Sequence, residues 1–357
     1  MFSPKRQHRR SLILWATIIF SGVAFGFSDQ EEYFTAPDPA VRTIHHYPER
    51  DFPSAQRWRF AGRALSQDSK LAELFALAAV PELRKTVEHL VSFNNRYYLS
   101  KTGRASILWF ASRFRAIADA AGRTDVEIVV QEHQLKTDPR IQPTLIVRIK
   151  GQGPLASQRI LVGTPGDCIN SETGMKSVDD PCPGADDNAS GMAVILESFR
   201  VLIEGGVKPA RTLEFVAYAG EELGLIGSHY VAESYKVQGL DVAAVLQLEG
   251  TMYPGRVPQI ALFSDFTDPD VTEFLGRIVN KHLDVPFSLT KCNWGCSDHA
   301  AWRIRGFPVG FPFSETVGQD NPYAHTPKDT VDRISFVHGM RFTRITLAFL
   351  VELGLAP

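Results

Sequence analysis

Acidic residues and a histidine stand in short polar segments, several of which directly follow apolar runs. The segment 183–191 contains two adjacent aspartates, Glu221 and Glu222 follow one apolar run, and Glu249 follows the next. An imidazole, His325, lies in a later polar segment. Carboxylates and imidazole are ligands that zinc takes in catalytic sites. These residue types indicate a zinc site assembled from distant parts of the chain.

The adjacent glutamates are the most informative pair. Successive side chains at the end of a strand point apart, so one glutamate can bind a metal while the other reaches a water beside it. Zinc lowers the pKa of a bound water to about 7. A carboxylate can then accept the proton and pass it to a leaving amine, which predicts metal-assisted hydrolysis. Each group alone also has a structural explanation, since aspartates often cap helices.

These residues need a scaffold that brings strand ends together. Apolar runs predict strands at 159–163, 212–218, 242–248 and 309–313, and helical periodicity predicts helices at 105–121, 190–204, 222–235 and 336–353. Strands that alternate with helices are typical of an α/β sandwich with a largely parallel sheet. The carboxyl ends of such strands carry functional loops, and the acidic residues and the histidine fall at those ends.

The chain has four cysteines, Cys168, Cys182, Cys292 and Cys296. Four cysteines allow three disulfide pairings, and proximity in the sequence favours Cys168 with Cys182 and Cys292 with Cys296. A structural zinc held by all four thiolates is the alternative, although no Cys-x-x-Cys pair is present.

Several motifs occur in an order and spacing that no single motif could establish. They are Ser92 to Tyr98 (SFNNRYY), Gly184 to Gly191 (GADDNASG), Ala219 to Gly224 (AGEELG), Cys292 to His299 (CNWGCSDH) and His325 to Thr330 (HTPKDT). From about residue 87 onwards the chain resembles the M28 family of zinc peptidases, and most closely its secreted bacterial leucyl aminopeptidases. The resemblance implies a single α/β domain, a three-layer sandwich whose mixed central sheet is flanked by helices, with two adjacent zinc ions.

The resemblance also implies roles for individual residues. Asp187 matches the carboxylate that bridges the two zinc ions, because the motif is Asp-x-x-Ser-Gly. Glu221 matches the general base, and Glu222 and His325 match the other ligands of the first zinc. The first zinc site is therefore complete in this sequence.

The second zinc site departs from the family pattern. Pro165 stands where a histidine ligand is expected, and proline has no side-chain donor atom. Asp167, which would accompany that histidine, is present, and Glu249 stands at the position of an aspartate ligand. Three interpretations are open: one zinc with Glu221 as base, a second metal bound weakly through Asp187 and Glu249, or loss of activity. We expect one tightly held zinc ion.

The substrate pocket is expected beside a family disulfide, which Cys292 and Cys296 match. Trp294, Phe311 and Phe313 should flank this site and accept an apolar side chain, although ordinary core packing is an equal alternative for the two phenylalanines. The expected function is a zinc-dependent aminopeptidase that releases hydrophobic N-terminal residues from peptides. A catalytically altered or inactive zinc-binding homologue and a one-zinc enzyme similar to glutaminyl cyclases are the alternatives.

Composition and the first residues bear on cellular location. The 357 residues carry 38 Lys+Arg and 40 Asp+Glu, a net charge of −2 that gives no electrostatic basis for binding nucleic acid. Basic residues precede an uncharged run over 11–27, so residues 1–27 are expected to be a signal peptide or a signal anchor. Residues 28–75 are expected to form a polar arm and 76–357 the peptidase domain. Such a protein is exported to the periplasm or secreted, or contacts the membrane only through an uncleaved first segment.

Overall fold

Mostly apolar runs form the centre of a six-stranded sheet. The computed structural model describes residues 58–133, 141–174, 178–257 and 259–355. β3 (Arg159–Pro165) lies between β4 (Thr212–Tyr218) and β5 (Val242–Gln247), and all three are parallel. Ile160 packs in one apolar cluster and Leu161 in another. These strands are mostly apolar because both faces of the sheet are covered, and the buried Glu214 of β4 is paired with Arg148.

The remaining strands make the sheet mixed. β1 (Val126–Gln131) and β2 (Thr144–Ile149) are antiparallel, β2 is antiparallel to β4, and β8 (Val309–Gly310) is parallel to β5. The order is β1-β2-β4-β3-β5-β8. A second sheet has the order β7-β6-β9, with β6 at Ile260–Phe263, β7 at Phe287–Thr290 and β9 at Pro312–Phe313.

Helices cover both faces of the central sheet. One face packs against α1 (Asp68–Leu77), α2 (Val80–Val91), α3 (Lys101–Ala120), α4 (Gly191–Glu204), α6 (Pro269–His282) and α8 (Phe336–Gly354). The other packs against α5 (Ile226–Val237) and α7 (His299–Arg303). The prediction of a three-layer α/β sandwich with a mixed central sheet is confirmed.

Side-chain caps set the start of several helices. Ser100 accepts a hydrogen bond from the Gly103 N–H at α3, and Ser335 accepts one from the His338 N–H at α8. Asp268 accepts from two backbone N–H groups at α6, whose first residue is Pro269. Such caps satisfy N–H groups that the first helical turn leaves without a partner.

Three predicted elements differ clearly from the observed ones, and the first of them, the helix predicted at 105–121, begins earlier, at Lys101. The predicted strand 309–313 divides at Phe311, so that its halves, β8 and β9, belong to different sheets. The predicted helix 222–235 begins only at Ile226, because a 3₁₀ turn over Glu221–Leu223 precedes it and Leu225 has a φ of 60°. β7 and α7 were not predicted, since both are short.

The predicted polar arm, 28–75, overlaps the packed domain over its described residues, 58–75. Trp58 is 4% exposed, and its indole N–H donates to the Ala243 carbonyl at 2.8 Å. The carboxylate of Glu352, in α8, accepts the backbone N–H groups of Ser66 and Gln67. Residues 58–75 are therefore part of the packed domain, whereas 28–57 and the predicted signal segment 1–27 lie outside the described residues.

The cysteines form two disulfides, Cys168–Cys182 and Cys292–Cys296. This agrees with the pairing favoured by proximity and excludes the four-thiolate zinc site. Within the described ranges, no helix combines the length and the apolar character needed to span a bilayer.

Candidate active site

The loop between the Cys168–Cys182 disulfide and α4 separates two aspartates with different roles. Asp186 is buried, and its Oδ1 accepts the backbone N–H groups of Met252 and Tyr253 at 2.8 and 2.9 Å. The Asp329 carboxylate accepts the N–H groups of Asp186 and Asp187. These bonds fix the loop backbone and leave the Asp187 carboxylate free to face other side chains.

A tight turn after β4 presents the two glutamates. Gly220 has a φ of 62°, a left-handed conformation that suits glycine. The Glu221 N–H donates to Asp167 Oδ1 at 2.9 Å, which ties the turn to the end of β3. Glu222 turns towards Asp187 and His325.

The imidazole completes a group of three side chains. His325 Nε2 lies 2.9 Å from Asp187 Oδ2 and 3.2 Å from Glu222 Oε2. The His325 carbonyl accepts both the N–H and the hydroxyl of Ser171, at 2.8 and 2.9 Å. Residues 35 to 138 positions apart in the sequence thus meet at one point.

This group fits a zinc ion. One ligand atom each of Asp187, Glu222 and His325 lies within 4.8 Å of the others. Glu222 Oε1 is buried and has no hydrogen-bond partner among the described residues. The Glu222 charge raises the pKa of His325 to about 12, so the group favours a positive charge at this point. Two carboxylates and an imidazole leave a coordination position open for substrate, as in catalytic zinc sites.

The candidate base, Glu221, lies among several other acids. Burial raises its pKa, and the charges of Glu249, Glu222, Asp298 and Asp167 raise it further. Without a cation nearby, the Glu221 carboxyl therefore tends to hold a proton, whereas a cation at the ligand group would favour the ionised form that a base needs.

The structure does not bring the fourth proposed ligand, Glu249, into the group of three. Its carboxylate accepts a short hydrogen bond from the Ser297 hydroxyl. Gln247 Nε2 in turn donates to Ser297 Oγ at 2.9 Å. Pro165 ends β3 and supplies no donor atom. Among the described residues, Asp187, Glu222 and His325 form the one group of three side chains with metal-ligand spacing.

The three proposed pocket residues occupy different environments. Phe311 is 2% exposed, and its ring stacks on Phe263 with centroids 4.5 Å apart, so it packs in the core. Phe313 is half-buried and lies against Gly250, the residue after Glu249. Trp294 is half-buried within the Cys292–Cys296 loop.

Comparison with known proteins identifies the family. The model of peptidase family M28 matches residues 144–350, more than half of the chain. The chain belongs to peptidase family M28. Peptidases of M28 are typically zinc-dependent, which agrees with the ligand group.

Individual M28 relatives match over most of their length. Leucine aminopeptidase 1 of Coccidioides posadasii (strain C735) is 33% identical over 322 residues, which cover 87% of this chain and 81% of that protein. The crystal structure of LapB from Legionella pneumophila has a TM-score of 0.78 at 32% identity and covers 91% and 85% of the two chains. The LapA aminopeptidase of the same organism has a TM-score of 0.75 at 28% identity and covers 82% and 76%.

Sequence reasoning missed several residues that build this M28 site. Arg96, Ser297 and Asp329 lie inside motifs that carry the family resemblance, but no role was assigned to them. Arg96 and Asp329 hold the backbone of the Asp187 loop, and Ser297 holds Glu249. Their position within the motifs was the available signal.

Proposed function

We propose that this M28 member is an aminopeptidase that releases hydrophobic N-terminal residues and works with one zinc ion. The ion would be held by Asp187, Glu222 and His325. The observation that carries the proposal is the clustering of these three ligand atoms within 4.8 Å, with Glu221 on the same turn as Glu222. Relatives named leucine aminopeptidases, matched over most of the chain, support it.

Each residue has a distinct task. Bound zinc supplies a Lewis acid that polarises the scissile carbonyl and makes water a better nucleophile. Glu221 accepts a proton from the attacking water and returns it to the leaving amine. Asp167 fixes the Glu221 backbone by accepting its N–H. Phe313 and Trp294 provide an apolar wall for the first side chain of the peptide, with Phe311 behind it.

Hydrolysis of leucine p-nitroanilide by the full chain tests this proposal. A chelator should abolish the activity and added zinc should restore it. Glu221→Gln should lower kcat by about 10²–10⁴-fold with zinc content unchanged, because Glu221 is not in the ligand group. Glu233→Gln alters a glutamate of α5 that pairs with Arg305, and this variant should keep the wild-type rate. Full activity in Glu221→Gln would remove Glu221 from the mechanism.

A second assay, with peptides that carry an N-terminal glutamine, separates the two alternatives when it is run beside the first. A one-zinc cyclase would release ammonia from peptides with N-terminal glutamine, without cleaving a peptide bond. An inactive homologue would bind zinc but leave both substrates intact. The leucine aminopeptidase relatives favour hydrolysis over either alternative.

We also propose that the protein is exported, with residues 1–27 as signal peptide or anchor. Two disulfides support this proposal, because such bonds persist in oxidising compartments. The peptidase domain would then begin at or before Trp58.

A further inference from the structure

The acidic side chains around the ligand group would carry, when ionised, more negative charge than one zinc ion balances. Beyond Asp187 and Glu222, the same region holds Asp167 and Asp298, which are 1% and 0% exposed, together with Glu221 and Glu249. Asp167 Oδ2 is buried and finds no hydrogen-bond partner in the part of the chain that the structure describes, while its Oδ1 accepts the Glu221 N–H. Buried carboxylates are costly unless a cation or hydrogen-bond donors compensate them. The site therefore calls for a second positive group.

A second metal ion is a poor candidate for that group. A metal needs several ligand atoms around one point, and Pro165 supplies none. Glu249 commits one carboxylate oxygen to the Ser297 hydroxyl, and Gln247 holds that hydroxyl in turn. An ammonium group has different needs, because it can donate to a single well-placed carboxylate oxygen.

We propose that Glu249 binds the α-ammonium group of the peptide substrate in the place where a second metal would otherwise lie. The proposal rests on the aminopeptidase function proposed above and deepens it. Ser297 and Gln247 are positioning residues: they fix Glu249 Oε2, so that Oε1 remains for the ammonium.

The neighbours of Glu249 give the substrate an orientation. Gly250 follows Glu249, and a Cβ at Gly250 would lie 2.5 Å from the Phe313 ring. The ammonium at Glu249 thus lies beside the apolar wall that receives the first side chain. In this orientation the first residue of the peptide has three separate contacts: its ammonium with Glu249, its side chain with the apolar wall and its scissile carbonyl with the ligand group. A peptide whose N-terminus is blocked loses the ammonium contact and is rejected.

Two hydroxamates that differ only in the amine test the proposal. The probes are leucine hydroxamate and 4-methylpentanohydroxamic acid, titrated into zinc-equilibrated full chain. Leucine hydroxamate should bind the wild type at least about tenfold more tightly, because a hydrogen bond to a charged group gives that difference. The amine ratio is the dissociation constant of the amine-free probe divided by that of leucine hydroxamate. Glu249→Gln should reduce this ratio to near one and leave the affinity for the amine-free probe within about twofold.

Two further variants control for folding and for general loss of charge. Glu197→Gln changes another buried glutamate, which bonds Arg200 and the Ala79 N–H, and should keep the wild-type ratio. Ser297→Ala keeps the Glu249 charge but frees its carboxylate, and should reduce the ratio partly. A wild-type ratio near one, or an undiminished ratio in both Glu249→Gln and Ser297→Ala, would overturn the proposal.

Zinc content gives a readout that does not depend on activity. After equilibration with excess zinc and desalting, wild type and Glu249→Gln should hold equal amounts. A loss of zinc in Glu249→Gln would make Glu249 a metal ligand and overturn the proposal. An amine-dependent ratio without hydrolysis would refute the aminopeptidase function but support the ammonium site, whereas hydrolysis with no amine preference would do the reverse. Failure of both probes to bind would refute both.

Discussion

Arg96 is a buried cation that connects the motif Ser92–Tyr98 to the ligand group. It is 1% exposed, and its guanidinium donates to the carbonyls of Pro183 and Gly184 at 2.7 and 2.8 Å. Burial lowers its pKa to about 10, whereas the surrounding carboxylates, Asp329 first, oppose this shift. Arg96 therefore stays charged at neutral pH and fixes the loop that presents Asp187.

Replacing Arg96 should weaken both the fold and the metal site. Arg96→Met removes the guanidinium donors to the Pro183 and Gly184 carbonyls, although the Ala189 N–H still donates to Gly184. It also removes a charge that balances the acids, so the free energy of unfolding should fall by about 3 kcal/mol. Arg96→Lys should retain part of the stability, because lysine keeps the charge but lacks the planar fork. Urea unfolding and competitive zinc titration measure the two effects. Arg115→Met, at an exposed position of α3, is the control, and equal stability of the two Met variants would contradict the role of Arg96.

We propose that Pro165 and Glu249 limit the chain to one zinc ion. Pro165→His combined with Glu249→Asp supplies an imidazole donor and a shorter carboxylate, so zinc should rise from about one towards two ions per chain. Elemental analysis of desalted protein measures this change. Pro165→Ala removes the proline ring but adds no ligand atom, so its zinc content should equal that of the wild type. An unchanged content in the double variant would mean that other residues exclude the second ion.

At the scale of elements, the sequence predicted buried strands well and short elements poorly. β4 was predicted with its observed bounds, because a mostly apolar run followed by Ala219 and Gly220 marks both the strand and its end. The predicted strand 309–313 instead divides between two sheets, since its pairing with β5 and with β6 depends on tertiary position. Local pattern carries no information about which sheet a residue will join.

The sequence likewise predicted some features of the candidate site and not others. Asp187, Glu221, Glu222 and His325 could be proposed from residue types at strand ends together with the family resemblance. The backbone bonds of Asp329 and the Ser297–Glu249 contact link residues 142 and 48 positions apart. Such contacts exist only once the chain has folded, so spacing alone could not predict them.

The two disulfides should contribute unequally to stability. Cys168–Cys182 closes a segment with a sequence separation of 14, and that segment carries Ser171, which bonds the His325 carbonyl. Cys292–Cys296 has a separation of only 4. Chain entropy gives about 3 kcal/mol for the longer loop and about 2 kcal/mol for the shorter one. Urea unfolding of the two double Cys→Ser variants should give this order, and the reverse order would show that loop closure does not dominate.

At the scale of the whole molecule, distant parts of the described chain hold one another. Trp58 binds a carbonyl of β5, and its backbone N–H donates to Asp270 at the start of α6. Glu352, near the end of α8, accepts the N–H groups that precede α1. Because these contacts join residues more than 180 positions apart, the fold that presents the site should respond as a unit to changes that act far from the zinc ligands.

Acid should reveal this coupling through His338, which is buried in α8 away from the ligand group. Burial, and then the charge of Arg341, lower its pKa to about 4, whereas an unfolded histidine titrates near 6.5. Between these values the unfolded chain binds the extra proton, so stability is highest above pH 6.5 and falls as the pH drops towards 4. At pH 5 the loss due to His338 should be about 2 kcal/mol.

His338→Gln removes this titration and should flatten the pH dependence of unfolding by that amount. Urea unfolding of wild type and variant at pH 7 and pH 5 measures the difference. The proposed zinc ligands are the same in both chains, so any loss of metal in acid would cancel in the comparison. His133, whose pKa burial also lowers to about 4, remains in both chains and cancels too. Parallel pH profiles would mean that the folded chain accommodates a protonated His338, and that the packing around α8 yields more readily than its burial suggests.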